Sequence, residues 1–334
     1  MAVDDLGKAG VPRFLGSTLA CVLVSASAAA QAQAPAYPSK PVRIVASSGA
    51  GGNVDLIARA VAQRLAESFA QPVLVDNKPG ASGIIAHEFI AKAPPDGYTL
   101  MVLPSVSHSA NPSLFKKLPY DTLRDFTAIS IIARGPLILV ANPSLPVKSL
   151  QDLIALAKSK PGQIVAANGG NGTAGHLGLE MMMAMSGTKF LQVPYKGNAP
   201  GLTDTIAGHT AIMIDTMSTS IPHVKSGRLR AIAVTSLERS PLLPGVASVA
   251  EAGLPGYEAS VYIGLLGPAG MPREIVNKLA GEVARIARNA ETRLYFAEQG
   301  VEVVGSTPEE FSAFIKDDIA KWEKVIRQAG IKAE

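Results

Sequence analysis

The stretch VASSGAGGNVDLIARAVAQRL, residues 45–65, runs from an apolar segment through a glycine cluster into a helical pattern. Apolar residues recur at the spacing of one helix face from Val54 to Leu65, and Gly52 or Asn53 is placed to cap that helix. In parallel α/β sheets, ligands bind where a strand ends and a helix begins. The stretch therefore predicts an α/β fold with a candidate binding loop after its first strand.

Short apolar runs alternate with helical patterns along the chain. They are VRIVA (42–46), PVLVD (72–76), TLMVL (99–103), LILVA (137–141), QIVAA (163–167), AIMID (211–215) and RAIAV (230–234). This alternation predicts α/β lobes with mostly parallel sheets. A length of 334 residues favours two lobes over one.

A second strand–loop–helix junction occurs in VAANGGNGTAGHLGLEMM, residues 165–182. Neither glycine loop has the Lys-Ser/Thr pair of a phosphate-binding P-loop or the spacing of a dinucleotide fingerprint. The groups left to bind a ligand are main-chain N–H groups and hydroxyl groups, both of which can donate to an anion. Glycine keeps the backbone accessible to that anion. Because neither loop contains Lys or Arg, both favour a carboxylate over a phosphate. The alternative is that both are ordinary tight turns.

The candidate binding groups are the amides and hydroxyls of three loops. They are Ser47, Ser48, Gly49, Gly51 and Gly52 in the first loop, Gly169, Gly170, Gly172 and Thr173 in the second, and Ser105, Ser107 and Asn111 after the strand TLMVL. A micromolar ligand needs about 8 kcal/mol, whereas one charge-assisted hydrogen bond supplies about 1.5–3 kcal/mol. We therefore expect two lobes to close over one ligand.

Three side chains near the second loop each have two interpretations. His176 either orients the loop or contacts the ligand, with Glu180 solvated one turn later; a metal shared by this pair is a further alternative. Tyr195 either closes over a ligand or is a half-buried tyrosine at a strand end. Asp215 either pairs with a ligand group or caps the turn that follows it. We expect no metal and no cofactor, because no H-E-x-x-H zinc motif is present.

The first residues of the chain have the pattern of an export signal. Lys8 and Arg13 precede the apolar run FLGSTLACVLVSASAAA, and AAAQAQA (28–34) offers small-residue cleavage sites. We expect residues 1–34 to be a signal peptide, so that the mature chain lacks its single cysteine, Cys21, and works in the periplasm. Scattered basic residues and 5% aromatic content disfavour nucleic-acid binding.

Several segments spread over residues 38–334 carry a resemblance to a known family. They include GGNVDLIARAVAQRL, VLVDNKPGASG, PPDGYTLMV, NPSLFKKLPYDTLRDF, GTAGHLGLEMM, VPYKGNAPGLTDTIAGH and RLRAIAVTSLERS. Together they resemble the Bug/TctC family, the extracytoplasmic solute receptors of tripartite tricarboxylate transporters. The chain departs from the family in its first loop, which reads ASSGAGGNVD where Pro-Gly-Gly is frequent. This difference changes the donors and the shape of the loop.

The resemblance implies an α/β fold of the periplasmic-binding-protein type II kind, with two α/β lobes and a ligand cleft between them. Lobe 1 would comprise residues 35–137 plus 261–334, and lobe 2 residues 138–260. The implied ligand is a small mono-, di- or tricarboxylate, aliphatic or aromatic, held by main-chain amides and ordered waters. Carried over by position, the ligand contacts are Ser48, Gly49, Gly51, Gly52, Asn53, Thr173, Ala174, His176, Tyr195 and Asp215.

We therefore expect a periplasmic solute-binding protein, monomeric and not an enzyme. It would deliver its ligand to the membrane permease subunits of a tripartite tricarboxylate transporter. One alternative is a ligand sensor for a membrane histidine kinase. Another is a periplasmic hydrolase that uses a serine with His176 and Asp215, although no G-x-S-x-G motif is present.

Overall fold

The strands of the protein divide between two sheets in a computed structural model that describes residue 10 and residues 37–331. The strands are β1 (Val42–Ala46), β2 (Val73–Asn77), β3 (Thr99–Pro104), β4 (Phe126–Gly135), β5 (Leu137–Ala141), β6 (Val165–Asn168), β7 (Leu191–Pro194), β8 (Ile212–Thr216), β9 (Arg230–Val234), β10 (Val261–Pro268) and β11 (Glu302–Val303). The first sheet has the order β11-β4-β10-β3-β1-β2 and the second β7-β6-β8-β5-β9. Except for Gly10, the predicted signal peptide lies outside the described residues.

Helices cover the faces of both sheets. They are α1 (Asn53–Phe69), α2 (Ile84–Ala91), α3 (Ser105–Leu114), α4 (Leu150–Ser159), α5 (Ala174–Ser186), α6 (Asn198–Ala207), α7 (Met217–Lys225), α8 (Arg273–Arg288), α9 (Ala290–Glu298) and α10 (Pro308–Ala329), with a short 3₁₀ turn at Ala81–Gly83. Within the described part of the chain, no helix is both long and apolar enough to cross a bilayer.

The apolar run of β1 is continuous because the strand is buried on both faces. Val42 and Ile44 pack in the cluster that contains α1, whereas Val45 packs against Ala86 and Ile90 of α2. This is the arrangement expected for a central strand with helices on each side. All seven predicted strands are confirmed, each to within two residues at its ends.

The prediction of mostly parallel sheets is wrong. β5 runs antiparallel to β8 and β9, and β10 runs antiparallel to β3 and β4. β5 and β10 are the strands that the chain enters after crossing from one sheet to the other, so no crossover helix fixes their direction. Four strands were not predicted from the sequence: β4, β7, β10 and β11.

Thr235 joins the two segments in which the chain passes from one sheet to the other. One crossing is Pro136, between β4 and β5, and the other is the segment 235–260 between β9 and β10. The fully buried Thr235 hydroxyl accepts the N–H of Leu137 at 2.7 Å, and the N–H of Ala259 donates to the Thr235 carbonyl at 3.0 Å. The two crossings therefore lie side by side.

The C-terminal helix α10 packs against the cores of both sheets. Phe311 and Ile315 belong to a buried cluster with residues of the first sheet, whereas Trp322 and Ile326 belong to a cluster with residues of the second. The helix thus forms a second link between the sheets in addition to the strand crossings.

Two fully buried histidines stack behind the turn 81–83. The rings of His87 and His108 lie 5.1 Å apart, and Tyr120 stacks on His87 at 5.0 Å. Burial lowers the pKa of His87 to about 4 and that of His108 well below its ordinary value. His87 Nδ1 lies 2.7 Å from the carbonyl oxygen of Gly83, so the neutral ring donates from Nδ1. Both rings are neutral in the folded protein.

Acidification should therefore destabilise the fold. The folded pKa of His87, about 4, lies below the ordinary 6.5, so its contribution is complete above pH 6.5 and is lost as the pH falls towards 4. For His87 the loss between pH 7.5 and pH 5 should be about 2 kcal/mol. In urea unfolding at both pH values, His108→Phe should lose less stability than the wild-type protein, because only one histidine of the stacked pair, His87, then titrates. Equal losses in the two proteins would contradict this.

Candidate functional site

The first glycine loop follows β1 and leads into helix α1. The amino terminus of α1 has no side-chain cap. Gly52 is the N-cap residue and provides no side-chain hydrogen bond. Among the described residues, the N–H groups of Asn53 and Val54 have no partner. Unpaired N–H groups at a helix start carry partial positive charge and attract anions. The open helix end is therefore suited to bind a carboxylate.

Two of the predicted donors in this loop are already engaged. The N–H of Gly51 donates to Asp55 Oδ2 at 2.8 Å, and that of Gly52 donates to the carbonyl of Gly49 at 3.3 Å. Gly51 and Gly52 therefore shape the loop, and their amides are not free for a ligand. The N–H groups of Ser48, Gly49 and Ala50 have no partner within residues 37–331. Ala50 was not predicted as a contact.

A polar network around the buried Asp55 and the half-exposed Arg59 supports the loop. Asp55, 2% exposed, accepts hydrogen bonds from Asn77 Nδ2 at 2.8 Å and from Arg59 Nε at 3.0 Å. Asn77 Nδ2 also donates to the carbonyl of Ser48 at 3.0 Å. Burial alone would raise the pKa of Asp55, but the hydrogen bonds from Arg59, Gly51 and Asn77 hold it below its usual value. Asp55 is therefore ionised.

The second glycine loop joins β6 to α5 and is held by its own side chains. Thr173 caps α5: its hydroxyl accepts the N–H of His176 at 3.4 Å and donates to the carbonyl of Gly170 at 2.8 Å. The N–H groups of Ala174 and Gly175 have no partner in the described chain. The loop thus offers two helix-terminal amides.

His176 orients the second loop, as one of its two interpretations predicted. Its Nδ1 accepts the N–H of Gly172 at 3.1 Å, and burial lowers the pKa of His176 to about 4. The expectation of a solvated Glu180 is wrong, because Glu180 is half-buried and accepts a hydrogen bond from Gln192 at 2.5 Å. His176 Nε2 lies 3.8 Å from Glu180 Oε1.

Tyr195 and Asp215 make their hydrogen bonds within the second lobe. The Tyr195 hydroxyl donates to Asp204 at 2.6 Å, which raises the pKa of Tyr195 to about 12. Asp215 is fully buried and accepts hydrogen bonds from Thr219 at 2.6 Å and Ser220 at 2.8 Å, both in α7. Asp215 therefore caps the turn that follows it. Contact of either side chain with a ligand stays a prediction.

The prediction of a third loop after β3 is wrong, because helix α3 begins directly at Ser105. Its two candidate serines face different ways. Ser105 is 2% exposed and faces Asp318 of α10, so it is turned away from the loops. Ser107 is half-buried, and a side chain on Gly83 would lie 3.5 Å from its hydroxyl oxygen. Ser107 therefore borders the turn 81–83, and only this serine of the pair stays close to the other candidate residues.

The second loop approaches the first lobe at a turn that sequence reasoning missed. A Cβ on Gly172 would lie 2.8 Å from Leu114 Cδ1 and 3.9 Å from Ser82 Oγ. Ser82 has a positive φ of 52°, and its carbonyl accepts a hydrogen bond from Asn111 at 3.1 Å. The segment KPGASG was the available signal, because its glycines flank this left-handed backbone. In the described residues, no hydrogen bond joins the two glycine loops directly.

Gly175 lies too close to β8 for any side chain. A Cβ at this position would be 2.4 Å from the carbonyl oxygen of Ile214, so Gly175→Ala should lower the free energy of unfolding by about 1–3 kcal/mol. Gly281, inside α8, has open space around it, and Gly281→Ala should raise stability by about 0.5–1 kcal/mol. Urea unfolding of both variants tests the contact. A stable Gly175→Ala protein would show that the second loop sits farther from β8.

Comparison with known proteins identifies the chain. Residues 57–331 match the family model TctC, the tripartite tricarboxylate transporter family receptor. The chain belongs to this family. BugT of Bordetella pertussis is 35% identical over 311 residues, which cover 93% of this chain and 95% of BugT. A Pseudomonas protein from a tcbD-tcbE intergenic region is 33% identical and covers 98% of this chain and 97% of its own length.

Solved structures of TctC-type proteins share the two-sheet fold. Rpa4515 of R. palustris, solved with adipate, superposes with a TM-score of 0.82 at 37% identity and covers 89% of this chain and 99% of its own. MatC of Rhodopseudomonas palustris, solved with bound malate, gives a TM-score of 0.78 at 29% identity, with coverage of 87% and 100%. The predicted two-lobed α/β fold of periplasmic binding proteins is thereby confirmed.

Proposed function

We propose that this TctC-family receptor is a periplasmic protein that captures a small carboxylate between its two lobes for tripartite tricarboxylate transport. The observation that carries the proposal is the match to Rpa4515 with adipate and MatC with malate over most of the chain. Both of those ligands are dicarboxylates. The open amino termini of α1 and α5 supply chemistry suited to the same class.

The proposed ligand contacts are groups with unpaired donors near the loops. They are Ser48, Gly49, Ala50 and Asn53 from lobe 1, with Ser82 and Ser107 bordering, and Ala174 and Gly175 from lobe 2. The other predicted contacts in the two glycine loops, Gly51, Gly52, Gly172, Thr173 and His176, hold the loops in shape instead. Tyr195 and Asp215 make their hydrogen bonds within lobe 2, and Ser105 faces Asp318 of α10. Bridging waters can complete such a site at little cost in affinity.

Lobe closure is proposed to trap the ligand. Lobe 1 would be residues 35–137 plus 261–334 and lobe 2 residues 138–260, with the crossings at Pro136 and Thr235 as the hinge. Since α10 packs on both cores, closure must also move this helix relative to one sheet. The closed state would bind the ligand more tightly, and this difference would signal occupancy to the permease subunits.

The hydrolase alternative has little geometric support. Its proposed acid, Asp215, is bonded to Thr219, Ser220 and Asn198, while His176 accepts the N–H of Gly172. A nucleophile–histidine–acid relay needs the acid and the histidine to hydrogen-bond to each other. A sensor for a histidine kinase uses the same lobes and differs only in its partner. We propose the permease as partner and a monomeric receptor.

A thermal-shift screen of carboxylic acids tests the proposed function. At 100 times its Kd, a ligand stabilises the folded protein by about 2.7 kcal/mol, which should raise the Tm by roughly 5 °C. Adipate and malate are the first compounds to test, and the neutral diamide of adipate is the matched control, which should give no shift. Failure of every mono-, di- and tricarboxylate to raise the Tm, or consumption of the acid or of its esters, would refute the proposal.

A further inference from the structure

Asp55 places a buried negative charge directly behind the proposed carboxylate site. It lies in the first turn of α1, 2% exposed, and receives the N–H of Gly51 from the loop itself. A carboxylate in the first turn stabilises the helix. The same charge repels an anion approaching the unpaired amides of that turn. A receptor for carboxylates therefore needs a compensating charge at this place.

Arg59 supplies the compensating charge. Its Nε donates to Asp55 Oδ2 at 3.0 Å, and one terminal nitrogen donates to Asn77 Oδ1 at 3.1 Å. Neither glycine loop contains a basic residue. The positive charge linked to the first loop by hydrogen bonds is that of Arg59, in α1. Among residues 37–331, the hydrogen bonds of Arg59 reach the loop through Asp55 and Asn77.

Asn77 links the ion pair to the loop backbone, and its hydrogen-bond partners fix which end of the amide faces each neighbour. Its amide nitrogen donates to Asp55 Oδ1 at 2.8 Å and to the Ser48 carbonyl at 3.0 Å, while its oxygen accepts from Arg59. An aspartate at position 77 would have no donor for the Ser48 carbonyl and would face a second carboxylate. The side chain of Asn77 is thus matched to both of its neighbours.

We propose that Asp55, Arg59 and Asn77 form a loop clamp: they hold the first glycine loop with its free amides exposed, and Arg59 cancels the Asp55 charge so that a carboxylate can bind. None of the three touches the ligand; they are positioning residues. The charge role rests on the proposed function, whereas the loop-holding role does not depend on it.

The charge role is tested by the affinity of adipate, or of malate if adipate gives no thermal shift, at low and high salt. Arg59→Gln should weaken binding about fivefold at 10 mM salt, from the field of one unpaired charge in the loop. The difference should shrink above 0.5 M salt because of screening. Arg59→Lys should restore most of the affinity. Arg327→Gln, which removes the same charge from an exposed pair with Glu323 on α10, should bind like the wild type.

The loop-holding role is tested by hydrogen exchange of residues 47–53 in the ligand-free protein. Asn77→Asp should raise the exchange rate of the Gly51 amide about tenfold, with unchanged exchange in α8 as the internal control. Unaltered exchange would overturn the loop-holding role, and an unaltered affinity of Arg59→Gln at low salt would overturn the charge role. If the wild-type protein binds no carboxylate, the proposed function and the charge role both fail, and the exchange result still decides whether the clamp holds the loop.

Discussion

The hydrogen bond from the Gly51 amide to the buried Asp55 carboxylate is the interaction on which the proposed site depends. A glycine-rich loop has many accessible conformations, and it presents donors in one direction only if some group fixes it. Asp55 fixes this loop from inside α1, and Asn77 and Arg59 fix Asp55. The amides of Ser48, Gly49 and Ala50 are left free as a result.

The proposed binding by main-chain amides would explain why both glycine loops lack arginine and lysine. Two helix starts, one in each lobe, offer partial positive charge, and each loop is stabilised by its own internal acceptor: Asp55 in the first and His176 in the second. Such a site would recognise the carboxylate group with little regard for the rest of the ligand. Related receptors solved with adipate and with malate are consistent with that tolerance.

The fold and the loops were predictable from local sequence patterns, whereas the partners of individual groups were not. Strand β1, the loop and α1 followed from apolar spacing and glycine placement in residues 42–65. The antiparallel direction of β5 was missed because strand direction after a crossing leaves no local signal, and β10 was not predicted as a strand. The charge pair Asp55–Arg59, four residues apart on one helix, was visible in the sequence, but its link to Gly51 and Asn77 depends on contacts between segments. The hydrogen bonds of Tyr195 to Asp204 and of Asp215 to α7 were not predicted for the same reason.

The most direct test of main-chain recognition is the backbone amide NMR spectrum of the ¹⁵N-labelled protein during titration with adipate. The account predicts downfield shifts for Gly49 and Ala50 in the first lobe and for Ala174 and Gly175 in the second, while Gly51, already bonded to Asp55, changes little. Shifts confined to one lobe, or a large change at Gly51, would contradict it.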